Sequence, residues 1–200
     1  MRPPAVEEKG EGNGRVFLFR HGPVTAAWRG RLYGASDAAS EPLGPEVAWA
    51  GAPFDALVTS DLSRARLAAA ALFPGVEASR DPRLREVDYG DLEGEDLLAL
   101  HERWPDLWDR WLATPDTFRF PGGETFDEVM ARAVAGVEAA RCHAPDGRVA
   151  VVTHGGVIRA YVAWVLGASA HGVGRLRIGT LRHVELRYWD GVPVIERVNA

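Results

Sequence analysis

Three short apolar runs in this chain each end on residues that handle anions and protons. "RVFLF" (15–19) leads into Arg20, His21 and Gly22. "ALVTS" (56–60) leads into "SDLSRAR", with Arg64 and Arg66 in the first turns of a helical pattern. "RVAVVTH" (148–154) delivers His154, followed by Gly155 and Gly156. A fourth stretch, "RLREVDYGDLEG" (83–94), sets Glu86 in an irregular, glycine-punctuated segment. If Arg20, Arg64 and His154 converge, two guanidiniums offer forked donors matched to phosphate oxygens. The backbone N–H groups of Gly155 and its neighbours, at a helix start, add positive potential for the same anion. With Nδ1 committed to a backbone carbonyl, His21 can aim Nε2 at phosphorus. Nearby cations keep that ring neutral, which is its nucleophilic form. Glu86 can protonate a leaving alkoxide and later take a proton from attacking water. The guanidiniums neutralise developing charge, so this chemistry calls for no metal and no cofactor.

Each piece has a plainer reading. An Arg-His pair after a strand is commonly a loop contact, an arginine on a helix is commonly salt-bridged, and surface glutamates are ordinary. The joint pattern, with every piece at a strand end or an adjoining loop, is what points to one site.

The elements that must position these residues alternate. Near-continuous apolar runs at 15–19, 56–60 and 148–154 predict parallel strands covered on both faces. Helical patterns fall between them, at 61–73 with Asp61 in its first turn and Pro74-Gly75 as a stop, at 124–144 before Pro145, and at 156–167 ending on Gly167. Residues 183–198 alternate around Asp190-Gly191, a hairpin turn signal. The pattern predicts an α/β fold: three α/β/α layers around a mostly parallel central sheet, with helices on both faces. In such sheets ligands gather at the carboxyl ends of strands, where strand order reverses. Residues 1–14, rich in Pro, Gly and charge, read as a flexible N-terminal tail ahead of one catalytic domain at 15–200. Gly10, Gly12 and Gly14 precede the first strand, so they are no dinucleotide loop. Residues 95–121 stand apart as a lid-like helical excursion, with Trp104, Trp108 and Trp111 crowded among prolines. Trp108 and Trp111 share one helical face, either as packing for the excursion or as an aromatic lid over substrate.

Composition narrows the partners. The chain has 200 residues, 46% hydrophobic, with 23 basic and 28 acidic residues giving a net charge of −5. No basic stripe suits nucleic acid. No apolar run approaches the roughly 20 residues needed to span a bilayer. Cys142 alone cannot form an internal disulfide; it suits a cytoplasmic setting and reads as a packing residue. His101, His143, His171 and His183 lack the spacing of metal ligands. The expected partner is a small phosphorylated metabolite, with no nucleic acid or membrane, for a monomer or homodimer.

The sequence resembles the histidine phosphatase superfamily, the phosphoglycerate-mutase-like proteins. The resemblance is carried by "FLFRHG" (17–22), "RLYGASD" (31–37), "SDLSRAR" (60–66), "LREVDYGDLEG" (84–94), "FPGGETFDEV" (120–129) and "VVTHGGVIRA" (151–160). It implies a phosphohistidine intermediate, with the nucleophile at His21, pocket arginines at Arg20 and Arg64, the second histidine at His154 and the proton donor at Glu86. After RHG the family carries an acidic residue, a hydroxyl residue and then an asparagine, where this chain has Pro23, Val24 and Ala27. Thr25 places the nearest hydroxyl one position late. The resemblance implies a phosphomonoester hydrolase of the phosphatase branch. Family mutases carry a longer insertion between the glutamate and PGGE motifs than Glu95–Phe120 here, which leaves phosphoglycerate mutase as the runner-up. The chain length and the "RLYG" segment also resemble α-ribazole phosphatases. A non-catalytic phosphate-binding or regulatory module is the alternative of another class.

Overall fold

The computed structural model describes residues 14–200, apart from the side chain of Trp108. The expected tail therefore lies outside the described residues, except for Gly14. In chain order the elements are β1 (Arg15–Arg20), β2 (Ala56–Thr59), α1 (Ser63–Leu72), β3 (Ser79–Arg80), α2 (Leu97–Arg103), α3 (Pro105–Ala113) and α4 (Phe126–Arg141). There follow β4 (Arg148–Thr153), α5 (Gly155–Leu166), α6 (Ala170–Gly174), β5 (His183–Trp189) and β6 (Val192–Val198). The six strands form one sheet in the order β3-β2-β4-β1-β5-β6. Strands β3, β2, β4 and β1 run parallel, and β5 pairs antiparallel with both β1 and β6. The expected α/β architecture with a mostly parallel sheet is what the molecule has.

Strand alternation sorts the core into two faces. Val16 and Leu18 of β1 pack with Val149 and Val151 of β4 against α4 and α5. Phe17 and Phe19 point the other way, with Ala150 and Val152, against Ala65, Ala68 and Leu72 of α1. Alanines at helical spacing let α1 lie close to the sheet, and Phe17, Phe19, Phe54 and Phe73 fill the rim with edge-on ring contacts. Both faces of the central strands are dry, which explains why their sequences carry no polar alternation.

Helix ends follow local chemistry. Thr125 and Glu128 form a capping box at the start of α4. Gly167 closes α5 in the left-handed region at φ 60°, where a side chain would be strained. Asp190 and Gly191 both take positive φ and turn β5 back as β6. Three sequence expectations need correction. Asp61 precedes α1, which starts at Ser63 with Asp37 Oδ1 accepting the Ser63 N–H at 2.7 Å, while Asp61 pairs with Arg85 at 2.5 Å. The 124–144 helix is trimmed to 126–141 by its caps. That trimming leaves Cys142 exposed at the C-cap instead of in the core.

Residues 95–121 fold as α2 and α3 around a small cluster of their own, with Leu100, Leu107, Phe118 and Phe120 buried beside Leu92. Trp104 is largely exposed, whereas Trp111 packs against the cluster. Among the described residues no helix is long and apolar enough to cross a membrane.

Candidate active site

Strand β4 sits between β2 and β1, so the chain leaves the ends of β1 and β4 in opposite directions. This is the switch point of the sheet. The register pairs Arg20 with Thr153, and the His21 N–H donates to the Thr153 carbonyl at 2.9 Å. The next residues on each strand are therefore side by side. The His21 and His154 ring centroids lie 5.1 Å apart with the planes tilted by 57°. Both rings are buried, His21 1% exposed and His154 fully enclosed.

His21 Nδ1 is 2.6 Å from the Gly22 carbonyl oxygen. A carbonyl only accepts, so this contact assigns the proton to Nδ1 and the lone pair to Nε2. Burial, the Arg64 guanidinium and Arg20 lower the ring's pKa to about 3, against the opposing pull of the Gly22 hydrogen bond. His154 Nε2 lies 2.9 Å from Ser60 Oγ. Burial, followed by Arg64 and His21, holds its pKa well below the ordinary histidine value. At neutral pH both imidazoles are uncharged, with His21 presenting a free electron pair.

The cations around them are fixed by backbone carbonyls rather than by carboxylates. Arg64 is fully buried; Nη1 donates to the Ser36 carbonyl at 2.7 Å and Nη2 to the Gly34 carbonyl at 2.5 Å. Its Cζ stands 5.5 Å from the centre of the Tyr33 ring. Arg66, two residues on, faces solvent. Arg20 Nη1 donates to the Ile178 carbonyl at 2.5 Å. Gly155 opens α5 where the Arg20 side chain passes, and a Cβ there would already touch Arg20 Nε at 3.4 Å. Among the described residues only four buried side-chain polar atoms lack a hydrogen-bond partner, and three of them are Arg20 Nε, Arg64 Nε and His154 Nδ1. Buried donors are normally satisfied. Anion oxygens placed between these groups, at the N-terminus of α5, would satisfy them.

Glu86 joins from the other side. Its carboxylate accepts the Gly156 N–H at both oxygens, at 2.9 and 3.1 Å, and the Val87 N–H at 3.1 Å. A Cβ at position 156 would come within 2.2 Å of Glu86 Oε1 and 2.7 Å of Val87 Cγ2, so a larger residue there would displace the carboxylate. The carboxylate is close enough for its charge to act on Arg64. The structure thus brings Arg20, His21, Arg64, Glu86, His154 and Gly155 to one locus. Among the described residues no three His, Cys, Asp or Glu side chains are grouped so as to hold a metal ion.

Sequence reasoning missed the groups that hold this locus in place. Ser60 orients His154 and also accepts the Leu62 N–H at 3.3 Å. Glu93 accepts the N–H groups of Gly34, Ala35 and Ser36, folding the loop whose carbonyls hold Arg64. Arg132 of α4 pairs with Glu124 at 2.7 Å and donates to the carbonyls of Arg83, Arg85 and Glu86. Asn199 accepts the Gly179 N–H at 2.8 Å and donates to the Arg177 carbonyl at 2.6 Å, on either side of the Ile178 carbonyl that fixes Arg20. Ser60 and Glu93 stand inside motifs quoted above and were legible as neighbours of chemistry. Arg132 and Asn199 carry no local signal. At the two positions that depart from the family pattern, Ser40 Oγ donates to the Pro23 carbonyl at 3.0 Å, and Val24 is buried in a bridge to Ser40.

The family model of the histidine phosphatase superfamily (branch 1) matches residues 16–200. The chain belongs to the histidine phosphatase superfamily. Relatives within this histidine phosphatase family include a probable phosphoglycerate mutase GpmB of Cronobacter sakazakii, 33% identical over 82% of this chain and 80% of the relative. A 2,3-bisphosphoglycerate-dependent phosphoglycerate mutase of Brucella melitensis is 29% identical over 92% of each chain. Among solved structures, a putative α-ribazole-5′-P phosphatase of Escherichia coli superposes with a TM-score of 0.80 at 21% identity, covering 94% of this chain and 96% of that one. A mycobacterial glucosyl-3-phosphoglycerate phosphatase superposes with a TM-score of 0.76 at 25% identity, covering 94% and 99%. This member of the superfamily therefore has relatives named for transfer and structural neighbours named for hydrolysis.

Proposed function

We propose that this protein is a metal-independent phosphomonoesterase that acts through a phosphohistidine on a small phosphorylated metabolite. The observation that carries the reading is the buried, neutral His21, its Nδ1 tied to Gly22 and its Nε2 free, beside unpartnered nitrogens of Arg20, Arg64 and His154. The phosphate oxygens lie against those donors and the start of α5. The His21 Nε2 lone pair forms the N–P bond as the ester P–O bond breaks, and the departing oxygen takes the proton of the Glu86 carboxyl. Water then attacks phosphorus and gives its proton to Glu86, and the N–P electron pair returns to Nε2. Fixed guanidiniums stabilise the transferring group without reorganising. The test is hydrolysis of p-nitrophenyl phosphate in excess EDTA. Wild type turns over, and His21→Ala loses at least about 10³-fold, in the range seen when a nucleophile is removed. Unchanged activity in that variant removes His21 from the nucleophile role.

The mutases among the relatives favour a second reading, in which the phosphoryl group passes from His21 to a second hydroxyl instead of water. Incubation with 3-phosphoglycerate and a catalytic amount of 2,3-bisphosphoglycerate separates the two. A hydrolase releases inorganic phosphate, and a mutase releases the 2-phospho isomer.

A further inference from the structure

Near Glu86 the protein has an open-mouthed cavity of about 310 Å³. Gly156, which holds the Glu86 carboxylate, and Val87, which follows Glu86, form its inner wall. Trp111, Phe118 and Phe120 from the 95–121 excursion, with Tyr89, also line it. These rings brace each other edge-on, Phe118 against Phe120 at 5.2 Å and Phe120 against Tyr89 at 5.0 Å. Arg159 is the one charged side chain in the lining, and its Nε is engaged with the Leu176 carbonyl at 2.7 Å. The volume is at the lower end of the range for pockets that enclose a small molecule. Neither His21 nor Glu86 lines the cavity, which meets the phosphate site at Gly156 and Val87, the two residues whose N–H groups the Glu86 carboxylate accepts.

Position decides what this space is for. The ester oxygen that takes the Glu86 proton must sit at that carboxyl, and whatever is bonded to it extends past Gly156 and Val87. A small hydroxy acid there would have a single cation to meet, Arg159, with its Nε already committed to the Leu176 carbonyl, and would leave most of the apolar lining in contact with water. A flat apolar group would exchange water for ring contacts, which is favourable. We propose that the leaving alcohol of this protein's substrate carries an aromatic ring or a comparably rigid apolar group, seated in this cavity while the phosphate lies against His21. The proposal rests on the phosphomonoesterase reading above. It also gives Trp111 a double use, packing the excursion and walling the leaving-group site.

The test compares 2-phenylethyl phosphate with ethyl phosphate, whose alcohols have similar acidity and so place similar demands on Glu86. kcat/KM is expected to be about 10- to 100-fold higher for the phenylethyl ester, the factor that burying one phenyl ring supplies. Gly174 lies at the exposed rim of the cavity, and a Cβ there meets nothing within 4 Å. Gly174→Leu should therefore narrow the mouth without disturbing packing and lower the ratio of the two kcat/KM values several-fold. Calorimetric affinities of 2-phenylethylphosphonate and ethylphosphonate, which need no turnover, should show the same preference. Hydrolysis of both esters at equal kcat/KM overturns the leaving-group assignment and leaves the phosphatase reading standing. Hydrolysis of neither overturns the phosphatase reading; a ring-dependent phosphonate affinity then still supports the cavity as the site for the ring, and equal affinities overturn that as well. A ratio unmoved by Gly174→Leu, in a folded variant, overturns the placement in this cavity.

Discussion

His21 and Glu86 divide the chemistry by environment. The ring is buried among cations and kept neutral, while the carboxylate sits in a cradle of N–H groups at the start of α5. A glutamine at position 86 keeps the side chain's shape and removes its transferable proton. Glu86→Gln is expected to slow alkyl phosphates by about 10²- to 10⁴-fold and p-nitrophenyl phosphate far less, because a good leaving group departs without a proton. The measurement is the dependence of kcat on leaving-group acidity, which should steepen in the variant. Equal losses across the series would assign Glu86 to positioning alone. At this scale the sequence was informative, since the types and order of Arg20, His21, Arg64, Glu86 and His154 suffice to suggest phosphoryl transfer. The expectation that His21 Nδ1 is committed to a backbone carbonyl also agrees with the structure, though which carbonyl, that of Gly22, carries no sequence signal.

The strands and long helices were legible because burial on both faces imposes continuous apolar runs, and caps such as Thr125, Gly167 and Asp190-Gly191 announce themselves. The two-residue β3 has too little pattern to read, and the sheet order follows from pairing that no local window contains. The same limit hid Arg132. From the middle of α4 it grips the carbonyls of Arg83, Arg85 and Glu86, so a helix far along the chain sets where the carboxylate stands. Arg132→Met is expected to lower kcat on alkyl phosphates by roughly 10- to 100-fold, the scale of an ångström's misplacement. Because Arg132 acts through Glu86, p-nitrophenyl phosphate should suffer less, and Arg132→Lys should restore part of the loss. A uniform loss on all esters, tracking a lower Tm, would make Arg132 a stability residue only.

Across the whole molecule, buried imidazoles tie folding to pH: His21 and His154 most strongly, with His183, whose pKa burial also lowers, adding in the same direction. The native pKa of His21 is about 3 and that of His154 is far below the 6.5 of an unfolded chain. Between those limits the unfolded state takes up protons that the native state refuses, so stability is full above about pH 7 and falls as the pH drops. Each ring contributes a slope of up to roughly 1.4 kcal/mol per pH unit. Urea unfolding between pH 7.5 and 5 should show this, and His21→Ala should remove part of the slope, leaving the share of His154 and His183. A pH-independent midpoint over that interval would place protonated imidazole in the native state. One more consequence comes from Asn199, whose amide splints the turn carrying the Ile178 carbonyl and, through it, Arg20. The anion grip is thus anchored by a side chain near the other extremity of the polypeptide. Changes made there, far from any recognisable motif, should register first as weaker competition by inorganic phosphate and only later as lost fold.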